Sequence, residues 1–342
     1  MLASHWAYPW PQHRADEVGA AWRRPESLVG NGPFVLSSVD AEGATLSANP
    51  HWQASSGNVG TVRIEFREPR TQHSLERWNA GSHDLELARE APAPSADTVA
   101  ARSPMLSTSF LAFNASNGPI ADERVRRALA HAIDREALLA DAPGVDLPAA
   151  RGGAIPPVMP GHGDMPGPGV PFDRERARAL LAEAGYPGGE GLPELVITAP
   201  AWSPSAALAA QLAEIGVRSR IEAGKHFSIA PHVHAWMAGW HADYPDPDGF
   251  YRGLLELDLP FFHDEESDAV LELARACRDR DERLRLYRAF EKLWIGERAA
   301  LVPLSYSRQL LLRRPYVHGL RLNPMRVFHL EQVVVTPLDQ RT

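Results

Sequence analysis

One stretch of the chain changes from a strand pattern to a helix pattern and back, and this rhythm limits the possible folds more than any other feature. Residues 195–198 form a short apolar run, residues 205–214 carry a helical pattern, and residues 217–222 return to a strand pattern. A helix that joins two parallel strands requires a right-handed crossover and packs on one face of the sheet. We therefore expect an α/β fold with mixed sheets.

Shorter patterns elsewhere predict additional strands. Residues 60–68 (GTVRIEFRE) alternate between apolar and charged side chains, which is the period of a half-buried strand. Residues 36–48 predict a hairpin that turns at Glu42 and Gly43. Short strands are also expected at 108–114, 301–305 and 332–335.

Several helix ends can be read from capping residues. Asp122 and Asp173 each precede a helical pattern, and a carboxylate at this position accepts hydrogen bonds from the amides of the first turn. The second of these helices ends at Gly185, which can adopt a positive φ. The first helix carries an apolar stripe that must face a core, formed by Val125, Leu129, Ala132 and Ile133. Two later helices are expected at 265–278 and 281–297, and a proline- and glycine-rich connector at 143–171.

The charge and composition exclude several classes of partner. The net charge is −8, from 35 basic and 43 acidic residues, and no basic stripe could neutralise a nucleic-acid backbone. No apolar run reaches the roughly 18 to 20 residues that span a bilayer. Residues 1–12 lack the basic and apolar regions of a secretory signal. The single cysteine, Cys277, excludes a disulfide within the chain.

The sequence contains none of the common catalytic or nucleotide-binding motifs. GxSxG, HExxH, GxxxxGK[ST] and GxGxxG are all missing, and isolated serines, histidines and aspartates carry no information without a spacing. We therefore expect a protein that is not an enzyme and that uses no cofactor.

Two clusters of possible metal ligands are present, but neither has a convincing spacing. Asp243, Asp246 and Asp248 are interrupted by prolines and lack the bidentate glutamate of a calcium loop. His232 and His234 would share one face of a strand, with His226 and His241 nearby, so a transition-metal site is conceivable. Solvated or core-edge histidines are the better interpretation, and we predict no metal site.

Several segments, in order, resemble the family-5 extracellular solute-binding proteins, the oligopeptide-, dipeptide- and nickel-binding type that feeds ABC transporters. The most specific block is residues 110–138 (FLAFNASNGPIADERVRRALAHAIDREAL), and residues 238–250 (AGWHADYPDPDGF) form another. The remaining blocks are 29–34 with 48–52, 154–157 with 172–186, and 283–302. Most of these blocks read as folding signals, such as a core helix with its caps, and identify the family without touching a ligand.

The resemblance implies a periplasmic-binding-protein-like type II fold, in which a hinge joins two mixed α/β lobes. Residues 1–110 would form the latter half of lobe I, residues 111–310 lobe II, and residues 311–342 the return to lobe I. Family members are longer, so lobe I is expected to be incomplete, and whether such a cleft still binds is open.

The same resemblance implies a function in solute uptake. The lobes would close around a solute, expected to be a peptide, and a monomer would present it to the permease of an ABC transporter. The compartment would be periplasmic or extracellular with a membrane anchor, although the missing signal leaves a cytoplasmic location open. A sugar, an opine or a metal chelate also remains open as the ligand.

The resemblance places the ligand-binding residues in one short segment. It implies that Asp243 pairs with the N-terminal ammonium of a peptide and that Trp240 lines a side-chain pocket. Their neighbours His241 and Tyr244 complete the predicted ligand-binding set. The rival interpretation is that Asp243 caps or braces a proline-rich turn at 244–249.

A different class of function is also compatible with the sequence. The chain could be a ligand-sensing module of a cytoplasmic regulator, fused to or derived from a solute-binding protein. An upstream DNA-binding or signalling segment would favour this alternative, whereas an upstream secretory signal with the missing strands would favour uptake.

Overall fold

The computed structural model describes most of the chain and divides it into two compact units. Unit 1 comprises Met1–Ser103 with Gln309–Thr342, and unit 2 comprises Pro104–Arg308. The predicted lobe boundaries stay a prediction. The described residues are 11–54, 56–66, 74–88, 90–140, 147–160, 167–201, 203–224, 229–257, 259–337 and 339. Expectations for residues 1–10 and for His226 concern positions outside these ranges.

The helices of the described residues, in chain order, are α1 (Gln12–Val18), α2 (Ser74–Asn79), α3 (Glu123–Ala132), α4 (Arg135–Ala140), α5 (Arg174–Glu183), α6 (Ser205–Ala213), α7 (Pro247–Leu255), α8 (Glu265–Ala276) and α9 (Arg280–Glu291), the last of which continues as a π-helical turn at Lys292–Glu297. The strands are β1 (Phe34–Val39), β2 (Gly43–Ala48), β3 (Thr61–Glu65), β4 (Leu85–Ala88), β5 (Val99–Phe113), β6 (Leu195–Ala199), β7 (Ser219–Ala223), β8 (Ala235–His241), β9 (Leu301–Arg313), β10 (Val317–His318) and β11 (Val334–Val335).

Unit 1 contains a three-stranded antiparallel sheet in the order β1-β2-β3. Its first two strands confirm the predicted hairpin. The register shifts between Leu36 and Ser38, so that Leu36 pairs with Leu46 and Val39 pairs with Ala44. This bulge keeps Phe34, Leu36 and Val39 of β1 on one face although the apolar alternation of the sequence is interrupted there.

Unit 2 is built on a mixed sheet in the order β9-β5-β8-β6-β7. β5 runs antiparallel to β8, while β6 is parallel to both β8 and β7. The predicted strand-helix-strand unit is confirmed as β6, α6 and β7, although β7 begins two residues later than expected.

The two faces of this sheet bury different kinds of side chain. On one face, Ala235 and Met237 of β8 belong to an aliphatic core that includes Leu208 and Leu212 of α6. The predicted stripe of α3 lies in the same core, although α3 ends at Ala132. On the other face, Trp236 packs against an aromatic cluster formed by Phe250, Tyr251, Phe261, Tyr287, Phe290 and Trp294.

The predicted caps are confirmed. The Asp122 side chain accepts from the amide of Arg124, and the Asp173 side chain accepts from the amide of Arg176. Gly185 follows α5 with a φ of 92°, a conformation that suits glycine.

Other expectations were incomplete or wrong. The sequence patterns did not reveal β8 or α7, because β8 is covered on both faces and so lacks alternation. β5 and β9 are longer than the predicted strands at 108–114 and 301–305. His232 and His234 do not share a strand face, since β8 begins at Ala235. The described parts of the connector at 143–171 contain no helix or strand beyond an isolated bridge between Ala149 and Ser305.

Candidate functional site

The end of β8 and the last turn of α7 bring Trp240 and Asp243 together. A Cβ atom placed on Gly253 of α7 would lie 2.6 Å from Trp240 Cζ2 and 2.8 Å from Asp243 Oδ2. Both side chains therefore occupy the space that a larger residue would fill, and the indole edge lies beside the carboxylate. A glycine at position 253 makes this close approach possible.

Exposure differs between the predicted ligand-binding residues. Asp243 is exposed, whereas Trp240, His241 and Tyr244 are half-buried. The structure thus presents the carboxylate of Asp243 in a hydrated environment and not in a dry pocket. His241 Nδ1 lies 3.0 Å from the Ala242 carbonyl oxygen, to which it can donate.

The capping half of the rival role for Asp243 belongs to another residue, whereas its bracing role stays a prediction. The turn predicted at 244–249 leads into α7, whose N-cap is Asp246, and the Asp246 side chain accepts from the amide of Asp248 at 2.8 Å. Pro247 occupies the first helical position, where a missing N–H is harmless. Asp243 contacts this segment through its backbone, because its N–H donates to the Gly249 carbonyl at 3.2 Å.

Tyr244 belongs to a hydrogen-bonded network centred on Asp248. Its hydroxyl donates to Asp248 Oδ2 at 2.6 Å. Burial raises the pKa of Tyr244 to about 12, and the hydrogen bond to Asp248 adds to the effect. The hydroxyl of Tyr244 is therefore committed to the fold, which leaves its ring as the part available to a ligand.

Asp248 is only 5% exposed, and its carboxylate accepts hydrogen bonds from several donors. Besides Tyr244, these are Arg252 Nε at 2.8 Å, Tyr287 Oη at 3.0 Å and Arg275 Nε at 3.3 Å. Burial opposes ionisation, but the hydrogen bonds from Tyr244, Arg252 and Tyr287 outweigh it and lower the pKa of Asp248. Asp248 is an ionised structural residue in this network.

The acidic cluster that resembled a calcium loop is held by arginines. Asp246 receives two hydrogen bonds from Arg283, at 2.5 and 2.8 Å, in addition to capping α7. Asp246 and Asp248 therefore already have cationic partners. Within the ranges that the structure describes, no group of three or more His, Cys, Asp or Glu side chains could hold a metal ion.

The histidines considered as transition-metal ligands contact other groups. His232 Nε2 lies 3.1 Å from Glu222 Oε2. His234 Nδ1 accepts the Val196 N–H at 3.0 Å, and burial lowers the pKa of His234, so its ring is neutral with the proton on Nε2. These contacts fit the interpretation of core-edge histidines.

The topology of unit 2 explains why a site would form here. The segment after β6 leads to α6 on the aliphatic face, whereas the segment after β8 leads to α7, where Gly253 contacts Trp240 on the other face. Neighbouring parallel strands whose following helices lie on opposite faces leave a crevice at their carboxyl ends. Trp240 and Asp243 extend from the carboxyl end of β8 at this switch point.

The amino-acid sequence of this chain is similar to those of known proteins. The family model described as bacterial extracellular solute-binding proteins, family 5 middle, matches residues 1–257. The probable di/tripeptide-binding protein 5 of Pseudomonas aeruginosa (strain UCBPP-PA14) is 28% identical over 356 residues, which cover 95% of this chain and 65% of that protein. The probable deoxycholate-binding periplasmic protein YgiS of Escherichia coli (strain K12) is 27% identical, covering 98% of this chain and 66% of that protein.

A solved structure shows the fold. The dipeptide-binding protein from Pseudoalteromonas sp. SM9913 in complex with Met-Leu matches 98% of this chain and 71% of that chain, with a TM-score of 0.79 and 21% identity. The predicted periplasmic-binding-protein-like type II fold is confirmed. The chain spans slightly less than two thirds of the length of the two curated relatives. No helix among the described residues is long and apolar enough to cross a membrane.

Proposed function

Because this chain belongs to the family 5 extracellular solute-binding proteins, we propose that it binds a peptide through Asp243 and Trp240 and serves uptake by an ABC transporter. The observation that supports the proposal is the convergence of these two side chains on Gly253 at the carboxyl end of β8. Two relatives point to peptides, since one is named a di/tripeptide-binding protein and another was solved with Met-Leu.

The pair has the chemistry that an N-terminal ammonium requires. The Asp243 carboxylate can accept a charge-assisted hydrogen bond, and the neighbouring indole supplies an apolar wall for a side chain of the peptide. An exposed carboxylate alone holds an ammonium weakly, because water screens the pair. Closure of two lobes around the ligand, which the family resemblance predicts, would exclude that water and strengthen the contact.

The remaining residues of the predicted set have smaller roles in this proposal. Tyr244 contributes its ring, since its hydroxyl is engaged by Asp248. His241 occupies the last position of β8, one residue beyond Trp240. We assign it to the wall of the site. We place the protein in the periplasm or at the extracellular face, where it would present its ligand to a permease as a monomer.

The proposal is tested by thermal unfolding with short peptides. Tripeptides with a free amino terminus should raise the melting temperature, and acetylation of that terminus should remove the shift. Asp243→Asn should also remove it, whereas Asp281→Asn, an exposed aspartate on α9, should leave it unchanged. Stabilisation that survives both acetylation and Asp243→Asn would exclude Asp243 as the ammonium partner.

A second variant tests the geometry of the pair without changing either side chain. Gly253→Ala places a methyl group where Trp240 and Asp243 now lie, so it should displace them and weaken peptide binding roughly tenfold or more. Gly239→Ala is the matched control, because a Cβ there meets no atom closer than 3.5 Å. Equal peptide affinity in both variants would show that the pair need not be in contact.

A further inference from the structure

Two identical tripeptides, each Asn-Gly-Pro, lie in different surroundings of the fold. One occupies residues 31–33 and precedes β1, and the other occupies residues 117–119 and follows β5. No other asparagine of the sequence is followed by a glycine. Because the reacting groups are the same in both tripeptides, a large difference in reactivity between the two asparagines reports on the folded structure.

An asparagine that precedes a glycine can react with its own backbone. The glycine nitrogen gives up its proton and attacks the asparagine Cγ, a bond forms between these two atoms, and the bond from Cγ to the amide nitrogen breaks. The amide nitrogen takes up the proton and leaves as ammonia. Water then opens the cyclic imide at either carbonyl, which gives aspartate or isoaspartate. Glycine favours the attack, because it has no side chain beside the attacking nitrogen and its backbone is conformationally free.

The first tripeptide has the freedom that this reaction needs. Asn31 is exposed, and its side chain makes no hydrogen bond with any residue that the structure describes. The N–H of Gly32 donates to no backbone carbonyl of the described residues. A Cβ atom placed on Gly32 would meet no atom within 4 Å, so solvent reaches the attacking nitrogen.

The side chain of Asn117 in the second tripeptide is held in place. Asn117 is half-buried, and its Nδ2 donates to the Pro231 carbonyl at 2.9 Å and to the Val233 carbonyl at 3.1 Å. Rotation of Cγ towards the nitrogen of Gly118 would break both hydrogen bonds. Space around the glycine does not distinguish the two tripeptides, because a Cβ on Gly118 would also meet no atom within 4 Å.

We propose that Asn31 is a site of spontaneous deamidation in the folded protein, and that its hydrogen bonds protect Asn117 in the same tripeptide. The reaction places a negative charge in unit 1. In the isoaspartate product the backbone is longer by one carbon and the α-carboxylate is free, which is the group that an isoaspartate-specific carboxyl methyltransferase recognises. This inference is independent of the proposed peptide binding.

The modification should leave the fold intact. The carbonyl of Gly32 accepts from Asn49 Nδ2 at 2.8 Å, and the carbonyl of Pro33 accepts from the Asn49 N–H at 2.9 Å. These contacts hold the start of β1 on the β1 side of the modified residue. The melting temperature of the deamidated chain should therefore equal that of the unmodified chain, and the reaction can be followed in the folded state.

The wild-type chain contains its own comparison. The folded chain is kept at mildly alkaline pH, well below its melting temperature, and the peptides that carry Asn31 and Asn117 are followed by mass spectrometry. Exchange of the amide nitrogen for oxygen should be at least about tenfold faster at Asn31, because Asn117 reacts only after its hydrogen bonds open. In concentrated urea at the same pH, the two rates should agree within about threefold, since neither side chain is then held.

A matched pair of glycine variants tests the cyclisation itself. Gly32→Ala places a methyl group beside the attacking nitrogen and should slow the reaction of Asn31 about tenfold or more. Gly30→Ala is the control, because a Cβ at either glycine meets no atom within 4 Å but Gly30 provides no attacking nitrogen. An isoaspartate-specific methyltransferase with a labelled methyl donor should label the peptide around Asn31 in the aged wild-type chain.

Three outcomes would overturn the proposal. Equal rates at Asn31 and Asn117 in the folded chain would show that the hydrogen bonds of Asn117 give no protection. A large difference that persists in urea would assign the effect to flanking sequence and not to the fold. Equal rates in Gly32→Ala and Gly30→Ala would exclude attack by the Gly32 nitrogen. Melting temperatures identify a variant that fails to fold, in which case the wild-type comparison decides.

Discussion

Two buried carboxylates in unit 2, Asp248 and Glu291, have similar exposure but opposite surroundings. Asp248 is 5% exposed and accepts from two arginines and two tyrosines, whereas Glu291 is 3% exposed and accepts from the Tyr251 hydroxyl at 2.7 Å and the Ile155 amide at 2.9 Å. Burial raises the pKa of Glu291 despite these hydrogen bonds, while the pKa of Asp248 is lowered despite burial. Cationic donors, and not burial alone, decide which carboxylate is readily ionised.

The two carboxylates also hold different parts of the unit. Asp248 joins the first turn of α7 to Arg275 of α8 and Tyr287 of α9. Glu291 of α9 holds the segment around Ile155, where Gly153 permits the carboxylate to approach the backbone. The first connects helices near the proposed ligand site, and the second fixes a connector whose described residues form no helix or strand beyond an isolated bridge.

The largest loss of stability is expected from removal of Asp248, the carboxylate that has arginine partners. Asp248→Ala removes the acceptor of two tyrosine hydroxyls in a buried site and one of the two carboxylate partners of Arg275, so it should reduce the free energy of unfolding by about 3–5 kcal/mol. Urea unfolding at pH 7 measures the loss. A loss below about 1 kcal/mol would show that the arginines find other acceptors and that the network contributes little.

The next effect is on the pH dependence of the free energy of unfolding, to which Glu291 and Asp248 should contribute in opposite directions. The folded pKa of Glu291 lies above its usual 4.5, so the contribution of Glu291 is fully present below pH 4.5 and is lost as the pH rises through the folded value. The folded pKa of Asp248 lies below 3.8, so its contribution is present above pH 3.8 and is lost as the pH falls through the folded value.

Glu291→Gln isolates the first of these contributions. The variant should gain stability relative to wild type by up to about 1.4 kcal/mol per pH unit between pH 4.5 and the folded pKa of Glu291. Urea unfolding from pH 5 to 8 measures the difference, and Glu190→Gln, at an exposed position, is the control. Parallel curves for Glu291→Gln and wild type would mean that the pKa of Glu291 does not change on folding.

A smaller difference is expected when one tyrosine hydroxyl is removed from each site. Tyr251 is the only side chain that donates to Glu291 among the described residues, so Tyr251→Phe should cost about 1–2 kcal/mol. Tyr244→Phe should cost less than about 1 kcal/mol, because Asp248 keeps its arginines and Tyr287. Equal losses in urea unfolding would contradict the view that redundant donors distinguish the two sites.

The smallest stability effect is expected at the exposed carboxylate. Asp243→Asn should change the free energy of unfolding by no more than about 0.5 kcal/mol without ligand, because Asp243 is exposed. Thermal unfolding of the peptide-free chain measures the change. A loss above roughly 2 kcal/mol would approach the cost of breaking a buried ion pair. It would show that Asp243 stabilises the fold as the buried carboxylates do.

The fold was largely predictable where local chemistry decides it. Asp122 and Asp173 cap helices, Gly185 follows α5 with a positive φ, and the apolar stripe of α3 is buried. The candidate site was harder to predict from the sequence, because β8 and α7 have no simple apolar period. β8 is buried on both faces, and α7 begins with an aspartate and a proline that resemble a turn. The pair Asp246 and Pro247 is a helix-start signal that could have revealed α7.

The capped helices and the alternation of strands and helices could be predicted from the amino-acid sequence, because these features depend on contacts between residues close along the chain. The folded chain was needed to show that Asp246 and Asp248 bind arginines, that Gly253 brings Trp240 beside Asp243, and that Met237 faces away from the aromatic cluster. Arg275 and Arg283 lie 27 and 37 residues from the carboxylates they bind, so no local pattern could assign those partners. The charge of a buried carboxylate depends on such distant donors, and they are known only once the chain is folded.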